Sequence, residues 1–169
     1  SDYLAGPYHY VSTVAKGDWN PAKWDRYIME NPQIRKFGNY YYLYYISNSF
    51  DSGYTNENAK NKELLHWFKY NCTQKIGVLK AASIEDLVNG RYQKSSSYLM
   101  APDNVSTFEV TNNPSVTEGP DGRFYMMYKS RKPKGGTMTF WVAVADKPDE
   151  PFTTIGKVFT EPDMACEDP

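Results

Sequence analysis

The sequence has no excess of charge of either sign and little cysteine or histidine. Its 19 basic and 20 acidic residues give a net charge of −1, so no basic surface for DNA, RNA or an anionic membrane is indicated. Two cysteines, Cys72 and Cys166, and two histidines show none of the spacings of a zinc site or a disulfide framework. No apolar run is long enough to cross a bilayer. We therefore expect no metal, no cofactor, and a partner that is neither nucleic acid nor membrane.

Aromatic residues are what the sequence has in abundance. It contains 15 tyrosines, the aromatic content is 16%, and hydrophobic residues make up 40% of the chain. Tyrosine favours strands over helices, and its amphipathic ring provides surfaces on which sugar rings can stack. Core packing accounts for most of the tyrosines equally well. The composition therefore predicts a β-rich globular protein, and its charge fits a neutral partner such as a carbohydrate.

One phrase of the sequence occurs twice. "NPQIRKFGNYYYLYYIS" begins at Asn31, and "NPSVTEGPDGRFYMMYKS" begins 82 residues later at Asn113. Each copy has a short strand-like run, then a Gly-Asn or Asp-Gly turn pair that supplies positive φ at little cost, then a run rich in aromatic residues. The two copies therefore predict two β-hairpins in equivalent structural units. A third polar-polar-Pro phrase, "CEDP", ends at Pro169.

Further strands complete each unit. The alternating apolar stretches "KIGVLKAAS" and "FWVAVADK" predict third strands, while "NGRYQK" and "DEPFTT" each predict the opening of a fourth. "AGPYHYVSTV" matches the same position and predicts a further fourth strand over residues 7–14. We call each four-stranded unit a blade. The predicted organisation is then the end of one blade in 1–14, a complete blade over 31–100 with an insertion at 51–70, a second complete blade over 113–160, and the start of another at 165–169.

This arrangement predicts an all-β fold. Four antiparallel strands per repeat are typical of a β-propeller of four-stranded antiparallel blades, present here as about two full blades plus parts of two others. A β-sandwich is the alternative, but it does not explain why the polar-polar-Pro signature recurs at matching positions. Because propellers close with about 4 to 8 blades, we expect the chain to belong to a longer enzyme or to assemble with other copies, and to be poorly active alone.

The polar residues around the repeated prolines form the candidate site. In a propeller the first strand of each blade lies nearest the axis, so residues at its start form a ring around one mouth of the channel. The second strand returns to that mouth, and the insertion that follows it either packs on its own blade or overhangs the same face. The predicted ring and its neighbours are Glu30, Asn31, Asn112, Asn113, Glu167, Asp168, Lys129 and Arg131, with His66 and Trp67 from the insertion.

Carboxylates beside aromatic rings suit hydrolysis of a glycosidic bond. That reaction needs one carboxylic acid to protonate the leaving oxygen and one carboxylate to activate water or attack the sugar carbon. Lys129 or Arg131 would hold a carboxyl group in its charged form or bind an acidic substituent. The alternative is structural, because Asn or Asp before a proline also caps turns. Glu118 is interpreted as a solvated residue of the second hairpin turn.

The repeated phrases, together with "QKIGVLKAASIEDLVNGRY", "VAVADKPDEPF" and "CEDP", resemble those of five-bladed β-propeller glycoside hydrolases, the superfamily around family 43. The resemblance implies a glycosidase with its active site at the axial mouth and a carbohydrate substrate. It implies Glu167 as the general acid, with Asp168 and Glu30 as base or tuning residue. The second unit departs from the family pattern because it carries Asn112 and Asn113 where an acid is expected. A bacterial periplasmic or extracellular location is also implied.

Two other functions remain open. One is a carbohydrate-binding propeller without catalysis, in which the same aromatic rings bind sugar and the acidic residues only accept hydrogen bonds from hydroxyl groups. The other is a propeller glycoside phosphorylase, in which Lys129 and Arg131 would bind the phosphate.

Overall fold

The computed structural model describes residues 4–17, 20, 22–26, 28–50, 72–131 and 136–158. This part of the chain is all-β apart from one five-residue helix. It contains no helix that is long and apolar enough to cross a membrane.

The strands fall into two four-stranded antiparallel units. The first contains β1 (Glu30–Phe37), β2 (Tyr40–Phe50), β3 (Cys72–Ala81) and β4 (Gln93–Lys94), with helix α1 (Ile84–Val88) between β3 and β4. The second contains β5 (Phe108–Glu118), β6 (Phe124–Arg131), β7 (Met138–Ala145) and β8 (Thr153–Lys157). A parallel pair, Gln74 with Val110, joins β3 to β5, so the eight strands form one sheet.

The tyrosine-rich strand β2 is buried on both faces. Side chains on a strand alternate between the two faces, so Tyr42 and Tyr44 point one way while Leu43 and Tyr45 point the other. Tyr44 and Tyr45 are 0% and 1% exposed. The hydroxyl of Tyr44 donates to the carbonyl oxygen of Pro148 at 2.9 Å, which connects the first unit to the β7–β8 turn. The predicted packing role of these tyrosines is therefore confirmed.

Two hydrophobic clusters result. The larger lies between the units and combines side chains of β2 and β3 with Val116, Met126 and Trp141 of the second unit. The smaller covers the opposite face of β2 and β3, where Leu87 of α1 and the extended segment around Val14 pack. The first unit is therefore apolar on both faces, and each unit depends on the other for part of its core.

The two copies of the repeated phrase lie side by side. Asn31 and Asn113 both have φ of 49°, and the register of the β1–β2 and β5–β6 ladders shifts beside each of them. Asn31 Nδ2 donates to Asn113 Oδ1 at 2.6 Å. Gln33 Nε2 donates to Ser115 Oγ at 3.1 Å, again between residues 82 positions apart. Equivalent positions of the two inner strands are thus in direct contact, as the repeat predicts.

Gln33→Ala is expected to lower the free energy of unfolding by about 1–2 kcal/mol. The Gln33 amide donates to Ser115 and also accepts from the backbone N–H of Val116 at 2.7 Å, so its loss leaves groups of the neighbouring strand without a partner. Urea unfolding measures the change. Gln93→Ala, in the exposed strand β4, is the matched control and should cost much less. Equal losses in the two variants would contradict a role for Gln33 in joining the units.

Some sequence predictions differ from the structure. The strand predicted over residues 7–14 is wrong, since residues 6–17 have no strand pairing. This segment instead packs outside the first unit, where Ser12 Oγ donates to the carbonyl oxygen of Val88 at 3.0 Å and Tyr92 hydroxyl donates to that of Val14 at 3.2 Å.

Helix α1 was not predicted, because five residues are too few for a helical period. Its N-terminus is capped by Ser83.

Strands β2 and β3 flank the segment that the sequence predicts to be an insertion. β2 runs to Phe50 and β3 starts at Cys72, and these two residues pair across the ladder. The connection therefore leaves the sheet at the end where β1 starts. Residues 51–70 themselves, with His66 and Trp67, lie outside the described residues, as does the predicted blade start at 165–169 with Glu167 and Asp168.

Candidate functional site

Buried polar side chains gather at one end of both units. This end contains the starts of β1, β3, β5 and β7 and the ends of β2 and β6, because neighbouring strands within each unit are antiparallel. The far half of the strands carries apolar residues such as Leu79, Val116 and Met126 instead. The buried polar residues at this end are Ser47, Asn48, Gln74, Thr111, Asn112, Lys129, Ser130 and Thr139.

Glu30 is an acidic residue that the described structure places at this polar end. It opens β1, pairs with Ile46 of β2, and is half-buried. Burial removes water from the carboxylate, which raises the pKa of Glu30 above its usual value. A carboxyl group in this environment holds its proton to higher pH than an exposed glutamate does. This behaviour suits a group that donates a proton or shifts the pKa of a neighbouring acid.

Asn112 occupies the position in the second unit that Glu30 occupies in the first. It is 6% exposed and pairs with Lys129 of β6, which is 5% exposed. Asn112 Nδ2 donates to Gln74 Oε1 at 2.7 Å. Its Oδ1 is buried and has no hydrogen-bond partner among the described residues. The amide is therefore held by β3 of the first unit, while its oxygen accepts no hydrogen bond from the described residues.

Two hydroxyl groups of the same end are also buried without a partner in the described part of the chain. They are Ser130 Oγ of β6 and Thr139 Oγ1 of β7, whose residues pair across the ladder. A buried polar atom that lacks a partner costs about 1–3 kcal/mol. Such atoms are uncommon in native proteins, and each one calls for an explanation such as a catalytic or binding role.

Sequence reasoning missed Gln74 and Thr111 at this end. Thr111 Oγ1 donates to the carbonyl oxygen of Gln74 at 2.9 Å, and the Gln74 side chain accepts from Asn112. The available signal was a polar "TQ" pair at the start of the apolar third strand, where Gln74 pairs with Asn48. These contacts tie β3 to β5 and set the position of Asn112.

Asn31 and Asn113 were predicted to bind substrate. The structure places them at the polar end and bonds them to each other across the two units. Their positive φ is a conformation that asparagine tolerates better than most residues, since its short polar side chain bonds locally. Their side chains therefore connect the start of β1 to the middle of β5.

Asn31→Ala is expected to lower the free energy of unfolding by about 1–2 kcal/mol more than Asn31→Gly does. Both variants lose the hydrogen bond to Asn113, but only alanine is strained at a φ of 49°. Urea unfolding of the two variants separates the backbone effect from the side-chain effect. Equal destabilisation would show that the hydrogen bond alone matters.

The other predicted residues divide into two groups. Lys129 lies at the polar end opposite Asn112, and Arg131 lies two positions further along β6, opposite Phe108. Glu167, Asp168, His66 and Trp67 lie outside the described residues. Within the described residues, no three His, Cys, Asp or Glu side chains lie close enough together to hold a metal ion.

Several solved structures share this fold. A glycosyl hydrolase from Bacteroides ovatus superposes with a TM-score of 0.56 at 17% identity, over 82% of this chain and 34% of that chain. The GH43_1 enzyme from Xanthomonas citri complexed with xylose superposes with a TM-score of 0.55 at 16% identity, over 78% of this chain and 33% of that one. The chain therefore spans about a third of the length of these structures.

A third structure comes from the GH130 family of mannoside phosphorylases, which contains glycoside hydrolases that target β-1,2 mannosidic linkages in Candida mannan. Its TM-score is 0.57 at 12% identity, over 82% of this chain and 34% of that one. No family model and no curated protein sequence matches the chain. The chain thus shares its fold with these glycoside hydrolase structures, and the resemblance expected from the sequence is confirmed at the level of the fold.

Proposed function

We propose that the chain forms part of the catalytic propeller of a glycoside hydrolase and supplies two of its blades. The observation that carries this proposal is the half-buried carboxyl of Glu30, with its raised pKa, at the end where the inner strands of both units start. Asn112 Oδ1, Ser130 Oγ and Thr139 Oγ1 add buried polar groups at the same end. A desolvated carboxyl at the same end as polar groups that lack a partner among the described residues suits recognition and cleavage of a hydroxylated substrate.

In this proposal Glu30 releases its proton at a higher pH than an exposed glutamate does, because burial raises its pKa. It acts either as the donor to the leaving oxygen or as the group that tunes a second carboxyl, and Glu167 or Asp168 supplies that second carboxyl. Asn112 and Lys129 bind sugar hydroxyl groups, and His66 and Trp67 extend the platform from the insertion. The substrate is a neutral oligo- or polysaccharide, and the enzyme works in the periplasm or outside a bacterial cell.

The test is turnover by the intact protein. Chromogenic aryl glycosides are assayed with the wild type, with Glu30→Gln and with the matched control Glu118→Gln, which changes an exposed glutamate at the other end of the inner strand β5. Turnover that is lost in Glu30→Gln and kept in Glu118→Gln supports the proposal. Sugar binding without turnover in any form of the protein would favour the non-catalytic carbohydrate-binding alternative.

A phosphorylase is the second candidate. Lys129 is buried at the polar end with Arg131 nearby on the same strand, and one structure with this fold comes from a family of mannoside phosphorylases. Such an enzyme needs cations that hold phosphate beside the sugar. A rate that rises with inorganic phosphate and produces a sugar phosphate would identify this activity, while a rate independent of phosphate would exclude it.

A further inference from the structure

A pocket of about 460 Å³ lies outside the polar end, on the outer part of the first unit. It is lined by residues 22–25, which precede β1, and by residues 94–98, which begin in β4. In the sheet, β2 and β3 separate β4 from β1, so the β4 side of the pocket lies about three strand spacings, or roughly 14 Å, from the strand that carries Glu30. Its volume is in the usual range for small-molecule sites.

Two aromatic rings form a corner of this pocket. Trp24 stacks on Tyr45 with ring centroids 5.8 Å apart and an interplanar angle of 14°. Tyr98 meets Trp24 edge-on at 6.1 Å and 85°, and its side chain is 41% exposed. Trp24 fits closely against Gly77, where a Cβ atom would lie only 2.6 Å from the indole ring. The corner is therefore rigid on the Trp24 side and open on the Tyr98 side.

A carboxylate lies inside the pocket. Asp25 is 2% exposed, and its Oδ2 accepts from the hydroxyl of Tyr45 at 2.8 Å and lies 2.5 Å from Lys94 Nζ. The ammonium of Lys94 balances the charge of Asp25, so this part of the pocket is polar without a large net charge. Burying a carboxylate is costly unless it is paired and hydrogen-bonded, and both conditions are met.

Hydroxyl groups complete the lining. Residues 95–97 are three consecutive serines, and the backbone N–H of Ser95 donates to the carbonyl oxygen of Val78 at 3.2 Å, which fixes this segment along β3. Ser95 Oγ is buried and has no hydrogen-bond partner among the described residues. Ser96 and Ser97 are exposed. Donors and acceptors therefore surround the aromatic corner.

This combination selects a particular ligand chemistry. Flat aromatic rings suit the apolar C–H faces of a sugar ring, and serine hydroxyls with a paired carboxylate suit its hydroxyl groups. A purely apolar ligand would leave the serine hydroxyls without partners, while Lys23 and Lys94 of the lining can donate to the oxygen atoms of a sugar. We infer that this pocket is a second, non-catalytic carbohydrate site, which binds a neutral sugar ring away from the axial end. The inference goes beyond the proposed function, because binding here does not require hydrolysis.

The test is isothermal titration calorimetry on the intact protein. The probes are cellobiose, xylobiose and mannobiose, with inorganic phosphate as an anionic comparison. Tyr98→Ala should weaken binding of at least one disaccharide about tenfold, since it removes one wall of the corner. Tyr40→Ala is the matched control, because Tyr40 is 45% exposed and, like Tyr98, has a lysine ammonium over its ring, at 4.7 Å against 5.1 Å. The control should bind as the wild type does.

Three outcomes would overturn the inference: no heat from any disaccharide, equal losses in Tyr98→Ala and Tyr40→Ala, or binding of phosphate in place of sugar. The same experiment distinguishes failure of this inference from failure of the proposed glycosidase function. Glu30→Gln should keep the binding that depends on Tyr98 even though it abolishes turnover. Binding that depends on Tyr98 in a protein without glycosidase activity would uphold this pocket and refute the enzyme.

Discussion

Glu30→Gln is expected to lower kcat on glycoside substrates by about 10²–10⁴-fold, the usual contribution of a positioned acid or base. Glutamine keeps the size and hydrogen-bonding character of the side chain but cannot transfer a proton at neutral pH. Glu30 is half-buried at the polar end, and its burial raises its pKa, so a change in proton transfer should appear in the pH profile. In the variant, the part of the pH–activity profile that reflects titration of Glu30 should disappear, while binding of substrate is kept.

The same substitution should not destabilise the protein at neutral pH. Because burial raises the pKa of Glu30 in the folded state above the ordinary value of 4.5, the ionised carboxylate opposes folding. That penalty is absent below the unfolded pKa and appears as the pH rises through the folded pKa. Glu30→Gln should therefore be at least as stable as the wild type at pH 7, and its advantage should vanish as the pH falls below about 4.5.

Thermal unfolding at several pH values, beside kinetics, measures both effects. Glu118→Gln is the control for loss of one negative charge, since Glu118 is exposed, and neither its activity nor its stability should change much. Loss of activity with gain of stability is the pattern of a group kept for function. A fully active variant would remove Glu30 from the site, and a variant less stable than the wild type at pH 7 would contradict the cost of burying its carboxylate.

Gly77→Ala is expected to lower the free energy of unfolding by about 1–3 kcal/mol, as overpacking of a close-packed site does. Gly77 lies on β3 opposite Tyr45 of β2. An added Cβ atom would lie 2.6 Å from two carbons of the Trp24 ring and 2.8 Å from the Tyr45 ring. Both rings are held by their mutual stacking and Tyr45 by its bond to Asp25, so neither can move without loss elsewhere.

Gly156→Ala in β8 is the matched control. Nothing lies within 4 Å of a Cβ atom at Gly156, so this variant should be neutral or slightly stabilising, because alanine restricts the unfolded chain more than glycine does. Chemical denaturation of both variants, with the Trp24 environment followed by fluorescence, gives the comparison. Equal stability of the two variants would mean that Trp24 does not pack on Gly77 as described.

Much of the fold could be predicted from the sequence because strands and turns leave local patterns in the order of the residues. The spacing of Asn31 and Asn113, the turn pairs that follow them and the aromatic runs identified two equivalent hairpins, and the structure places the two asparagines in direct contact. Sequence patterns gave a wrong prediction where the secondary structure of a segment depends on pairing with another segment. Residues 7–14 match the position of a fourth strand in the repeat, yet a strand forms only when another strand supplies its hydrogen bonds.

The sequence by itself determined which residues repeat, where the chain turns, and that Glu30 and Asn112 hold matching positions in the two units. Only the tertiary structure decided their surroundings. The desolvation of Glu30 and the bond from Asn112 to Gln74 require chain segments that are distant in sequence to pack together. The same is true of the corner that Trp24 and Tyr98 form. Burial and hydrogen-bond geometry, which set pKa and binding, are properties of packing between segments, and no local pattern encodes them.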